Sequence, residues 1–131
     1  MLLQHGLGPL TEDQMPIGIW TKLVEDHHGL YLEGKLAPTQ RGRDVHALMK
    51  MQPRPALNGL SIGYRAKQFV IHGKSHPARR TLKAVSLSEV SLVTAPSNTL
   101  ATVRRVKSAA PTDDAYEKVM RALKSYDATL H

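Results

Sequence analysis

The segment PIGIWTKLVED, residues 16–26, alternates with a period of two: Ile17, Ile19, Thr21 and Leu23 on one face, Trp20, Lys22 and Val24 on the other. That is the pattern of a β-strand. After the polar turn DHHG, the segment LYLEGKL alternates again, with Leu30, Leu32 and Leu36 opposed to Tyr31, Glu33 and Lys35. The two runs predict an antiparallel hairpin. The period then changes in APTQRGRDVHALMKMQPRP, where Thr39 stands as an N-cap, Val45, Leu48 and Met49 fall at helical spacing, and Pro53 and Pro55 end the helix. The β pattern returns from Leu57 through LSIGYRAKQFVI, breaks at HGKSHPARR, and resumes in TLKAVSLSEVSLVT and, after APSN, in TLATVRRVK. Five strands and one inserted helix are expected. Beyond Lys107 the chain is small and Pro-containing, and then places Tyr116, Val119, Met120, Leu123 and Tyr126 on one stripe. Acids precede bases along that stripe, as the helix dipole prefers. The organisation expected is therefore a main domain over residues 1–107 and a linker with an amphipathic helix over 108–131, which caps the core or docks on a second subunit.

Composition narrows the chemistry. The 131 residues carry 18 Lys+Arg against 11 Asp+Glu, a formal charge of +7, which attracts acidic partners, nucleic acid included. The basic runs RRTLK and VRRVK are spread along strands and do not alternate with aromatics, so no specific nucleic-acid module is read from them. With no cysteine, disulfides, thiolate catalysis and Cys-based zinc sites are excluded. No apolar run approaches the roughly 20 residues of a membrane span and no signal-peptide pattern opens the chain, so a soluble, intracellular-type protein is expected. His27-His28 reads as a hairpin turn and His46 as a helical face residue; no His/Asp/Glu spacing makes a metal site, and no cofactor is implied.

Candidate chemistry centres on Gly59-Leu60-Ser61-Ile62-Gly63, a G-x-S-x-G pattern. In an α/β-hydrolase elbow this serine stands between a strand and a helix, with an acid and then a histidine downstream. Here the residues after Ser61 continue as a strand, and the chain is too short for a doubly wound sheet, so that reading is rejected. Triad chemistry is defined by roles, not order: a hydroxyl, a base for its proton, and a group that orients the base. Upstream, His5 ends the apolar run in LLQHG, a candidate short strand. Downstream, Glu89 shares a face with Leu87, Ser91 and Val93, where a half-buried carboxylate is costly unless paired. Each has a plain reading too. A serine between glycines in a strand accommodates a bulge, His5 is an exposed residue, and Glu89 pairs with Lys83 or Arg80 on the surface.

The blocks MLLQHG, MPIGIWTKLVEDHHGLYLEGKL, PALNGLSIGY and RRTLKAVSLSEVSLVTAPSN, in this order, resemble the phage prohead serine proteases of the HK97 type, over the chain up to about Lys107. The resemblance implies a mostly β, α+β fold, an antiparallel barrel with flanking helices like that of the herpesvirus assemblins. Additional strands usual ahead of the histidine block are expected to be missing here. It implies a serine endopeptidase that cleaves capsid-assembly proteins during prohead maturation: the scaffolding segment of the major capsid protein, and itself. Its setting would be the prohead interior and host cytoplasm, and its active form a dimer. Carried over by position, the nucleophile is Ser61, the base His5 and the acid Glu89, with His72 and His76 as substitutes for the acid. By analogy with the assemblin oxyanion loop, the amides of Ser97 and Asn98 would receive the oxyanion, and Gly59 and Gly63 would admit substrate backbone. Two rival readings remain: an inactive capsid-assembly scaffold of the same fold, and a basic nucleic-acid-binding β-domain.

Overall fold

The computed structural model describes residues 1–112; the amphipathic helix expected over 116–126 lies outside the described residues. The chain forms two compact units, one of residues 1–16 and 57–104, the other of 17–56 together with the chain from Arg105.

The first unit is built on a three-stranded sheet in the order β1-β5-β4, where β1 is Leu2–Leu3, β4 Gly59–Ile71 and β5 Arg80–Val93. Strands β4 and β5 form a long antiparallel ribbon whose register runs from Gly59 opposite Val93 to Ile71 opposite Arg80. It is broken by irregularities after Gly63, Ala66 and Gln68. Strand β1 pairs in parallel with the other side of β5, Leu2 beside Ser91 and Leu3 beside Leu92. The middle strand is thus flanked on both sides at its C-terminal end. There Val90, Ser91, Leu92 and Val93 are all buried, at 0–4% exposure, as a continuous apolar run in a central strand requires. Leu57 joins them.

In the second unit β2, Gly18–Asp26, and β3, Gly29–Leu36, make the expected hairpin. Its turn is closed by the Asp26 carboxylate, which accepts from the amides of His28 and Gly29. This is the local bonding that makes Asp a turn residue. A register shift between Trp20 and Lys22 breaks the simple alternation. Ile17, which precedes the strand, is buried while Ile19 is 62% exposed, so the two do not share an environment as a strict period of two predicts. Helix α1, Gln40–Met49, packs on β3 and is capped by Thr39, whose hydroxyl accepts from the Gly42 amide at 3.0 Å. Its buried positions are Gly42 and Val45, while Leu48 faces solvent.

Two expectations are corrected. The mostly β, α+β class holds, but neither sheet closes into a barrel. The five strands of the described residues are divided between two sheets of three and two, and neither set has enough strands to close on itself. The strand expected over 99–107 is replaced by one bridge, Gly59 to Thr102, with the Leu60 and Val103 amides donating to the carbonyls of Ala101 and Asn58. The reason lies in Asn98. Its side chain accepts from the Leu100 amide and its carbonyl from the Ala101 amide, a turn that occupies the backbone groups a longer ladder would need.

Truncating Leu92 to alanine opens a cavity in the strand of the first unit that is paired on both sides, and is expected to cost about 2–5 kcal/mol of stability. Ile71→Ala, at a position 74% exposed, should cost less than about 0.5 kcal/mol. Denaturant titration of both variants measures the contrast.

Candidate active site

The register of the first sheet sets the site. Ser61 on β4 lies opposite Ser91 on β5, and Gly63 opposite Glu89. Since alternate residues of a strand share a face, Ser61, Glu89 and Ser91 project from the same side of the ribbon. Strand β4 continues for ten residues past Ser61 with no helix following it, which removes the nucleophile-elbow geometry.

The imidazole comes from the far side of β5. After β1 the chain turns through Gln4, His5 and Gly6, all with positive φ (50°, 59° and 65°). For a non-glycine residue this left-handed conformation costs roughly 1–2 kcal/mol, so two in succession need compensation. Gln4 provides part of it. Its side-chain amide donates to Thr94 Oγ1 at 3.0 Å and accepts from the Thr94 amide at 3.2 Å, tying the turn to the end of β5. The Leu7 amide closes the turn on the Gln4 carbonyl. Gly6 takes the third left-handed position without a side chain to strain.

Thus held, the His5 ring bridges two strands. Its Nε2 lies 2.9 Å from Ser61 Oγ, and its Nδ1 is paired with Glu89 Oε1. An ionised carboxylate only accepts, so it fixes the proton on Nδ1 and leaves Nε2 free to accept from the serine hydroxyl. The other carboxylate oxygen accepts from Ser91 Oγ at 2.5 Å. Ser91 is fully buried, and this bond satisfies its hydroxyl away from water. Four side chains therefore form one line, Ser91 to Glu89 to His5 to Ser61. His5 and Glu89 retain 29% and 23% side-chain exposure, so the line lies at the surface yet is shielded.

The sequence-level candidates separate accordingly. Ser61, His5 and Glu89 meet. Gly63 has a local role: a Cβ there would run into the Glu89 carboxylate, so the absence of a side chain leaves the acid its place. Gly59 lies against Pro96 and the Val93 carbonyl, which brings the loop after β5 beside the start of β4. Ser97 and Asn98 are exposed members of that loop. His72 and His76 stand at the opposite end of the ribbon, about ten residues or ~33 Å of strand from Ser61. Their rings stack on each other, and His72 bonds Thr81. They do not reach His5; the carboxylate that meets the imidazole is that of Glu89. Two contributors carry no signal of their own in the sequence, Gln4 and Thr94. Ser91 is marked there only by sharing Glu89's face. Among the described residues no group of three or more His, Cys, Asp or Glu is placed to hold a metal ion, and no helix is long and apolar enough to cross a membrane.

Comparison with known proteins places the chain in a family. Residues 2–115 match the family model described as caudovirus prohead serine protease. Over 99 residues, 72% of the chain, the sequence is 32% identical to the prohead protease of Enterobacteria phage HK97. The aligned region is 41% of that protein, so the chain spans less than half the length of this relative. No solved structure gives a significant match. A family model that covers all but a short stretch of the sequence, together with a curated relative above 30% identity, makes this chain a member of the caudovirus prohead serine protease family.

Proposed function

We propose that this chain is a serine endopeptidase acting in prohead maturation, with Ser61 as nucleophile, His5 as general base and then acid, and Glu89 as the group that orients the imidazole. The observation that carries the reading is the placement of His5 Nε2 at 2.9 Å from Ser61 Oγ while Nδ1 is held by Glu89. That distance is within the range a general base needs. In the acylation step Ser61 Oγ bonds to the peptide carbonyl carbon and its proton passes to Nε2. The tetrahedral adduct then collapses, the C–N bond breaks, and the same proton goes to the leaving amine. Water repeats the sequence on the acyl-enzyme, releasing the acid and restoring the Ser61 hydroxyl. Glu89, aimed by Ser91, stabilises the imidazolium that exists between the two transfers. The oxyanion would be met by the amides of Ser97 and Asn98, supported by the contact of Pro96 with Gly59, two residues from the nucleophile. The substrates on this reading are capsid-assembly proteins, namely the scaffolding segment of the major capsid protein and the chain itself; the active form is a dimer, and the setting is the prohead interior and the host cytoplasm.

A fluorophosphonate tests the nucleophile directly. Labelling of the folded chain should vanish in Ser61→Ala and slow by about 10²-fold or more in His5→Ala; a folded protein that stays unlabelled overturns the reading. Ser91→Ala removes the donor to a charged acceptor, an interaction worth about 1.5–3 kcal/mol, and should slow labelling at least about tenfold. Ser91→Thr, which keeps the hydroxyl, should recover most of the rate. Gly63→Ala tests the space the acid occupies. The nearest atoms to the added Cβ are those of the Glu89 side chain, so labelling should fall as the carboxylate is displaced from His5, and the denaturation midpoint should fall too as the buried Ser91 hydroxyl loses its acceptor.

A further inference from the structure

The positive charge of this chain is not spread over it. Residues 59–88 contain Arg65, Lys67, Lys74, Arg79, Arg80 and Lys83 and no Asp or Glu, a local +6. The rest of the chain holds 12 Lys+Arg against 11 Asp+Glu, or +1. Those thirty residues are the β4–β5 ribbon from Ser61's end to its turn. All six cationic residues are exposed. Beside them Phe69, Val70 and Ile71 stay 48%, 43% and 74% exposed, an unusual combination for a strand of an isolated domain. Arg80 lies over the Phe69 ring, 5.6 Å from its centre.

The backbone of the same strand is also open. Strand β4 is the edge of its sheet, and among the described residues its outer side is met only at Asn58–Leu60, by residues 101–103. From Ile62 to Ile71 that side offers the donors and acceptors of a strand, and among the described residues no further strand pairs with it. An extended peptide satisfies such an edge by main-chain bonds, while exposed cations and apolar side chains read its residues. Duplex DNA cannot pair with the edge. Of the ribbon's two Phe or Tyr rings, Phe69 lies under Arg80 and Tyr64 is half-buried, so little aromatic surface is free for stacked bases.

We propose that the β4–β5 ribbon beyond Ser61 is a docking arm for an acidic, extended peptide. Resting on the protease reading, that peptide is the part of the substrate flanking the scissile bond. A segment laid along β4 passes Ser61 at the base of the arm and then, over about ten residues or ~33 Å, runs past Arg65 and Lys67 towards Lys74 and Arg79. Acidic residues would therefore be favoured several positions from the cleaved bond, on one flank, and the bond itself would be selected by the site.

Fluorescence anisotropy of the full chain with a fluorescein-labelled ten-residue Glu/Ala peptide, its Lys/Ala counterpart and a ten-nucleotide DNA of each strandedness measures this. The acidic peptide should bind at least about tenfold more tightly than the other probes and weaken by about tenfold from 50 to 300 mM salt, as exposed charges are screened. Arg65→Glu with Lys67→Glu should abolish the preference, as should Lys74→Glu with Arg79→Glu at the turn, where the fold has least to lose. Equal binding of the acidic and basic peptides, no binding of the acidic peptide, or tighter binding of DNA overturns the proposal. Fluorophosphonate labelling of the same variants should be unchanged. Loss of labelling in the unsubstituted chain counts against the protease reading alone and leaves anisotropy to judge the arm.

Discussion

The site depends on a pairing of two residues. Leu2 and Leu3 join β5 in parallel, and this pairing carries the N-terminal segment across the sheet to where Ser61 and Glu89 project. Because β4 pairs with the other side of the same strand, one register fixes all three groups: Leu2, Ser91 and Ser61 stand in a row across the sheet. A slip of one residue between β4 and β5 would set Ser61 and Glu89 on opposite faces, and one between β1 and β5 would shift His5 away from both. Burial of Val90, Leu92 and Val93 holds that register in place, so the same apolar run that forms the core aligns the polar line above it.

The hydroxyl, the imidazole and the carboxylate are each legible in the amino-acid sequence, for different reasons. Ser61 is marked by its glycines. Glu89 is marked by conflict, a carboxylate sharing a face with Leu87 and Val93. His5 has no local mark beyond an apolar dipeptide before it, and the likeness of several ordered blocks to a known family supplies what periodicity lacks. The ribbon, the hairpin and the capped helix follow from alternation and from Thr39. What escapes is governed by side chains acting on backbone. Gln4 ties the left-handed turn it belongs to onto Thr94, 90 residues away in sequence, and Asn98 forms a turn at the start of a run that alternation reads as a strand. The missing closure of the barrel has another cause: alternation shows that strands exist, not how many share a sheet.

The two glycines of the serine motif illustrate how a pattern can be right for reasons other than those that drew attention to it. In the α/β-hydrolases they permit a sharp turn. Here the chain runs straight on, and Gly63 is small because an acid from the neighbouring strand occupies the space above it. Gly59 is small because Pro96 does the same at the strand's start. The motif records crowding around the serine on both sides.

The manner in which His5 is mounted sets how the molecule loses function. Strands β4 and β5 share a ladder of a dozen residues, whereas the histidine segment is held through two strand pairings and the side chains of Gln4 and His5. Small structural units open at lower free energy than the whole. Peeling that segment away would separate the His5 imidazole from the Ser61 hydroxyl while the ribbon stays folded. On the proposed reading, mild heat or denaturant would then remove activity by a local and reversible opening that precedes melting, and agents that grip the N-terminal turn would act as a latch.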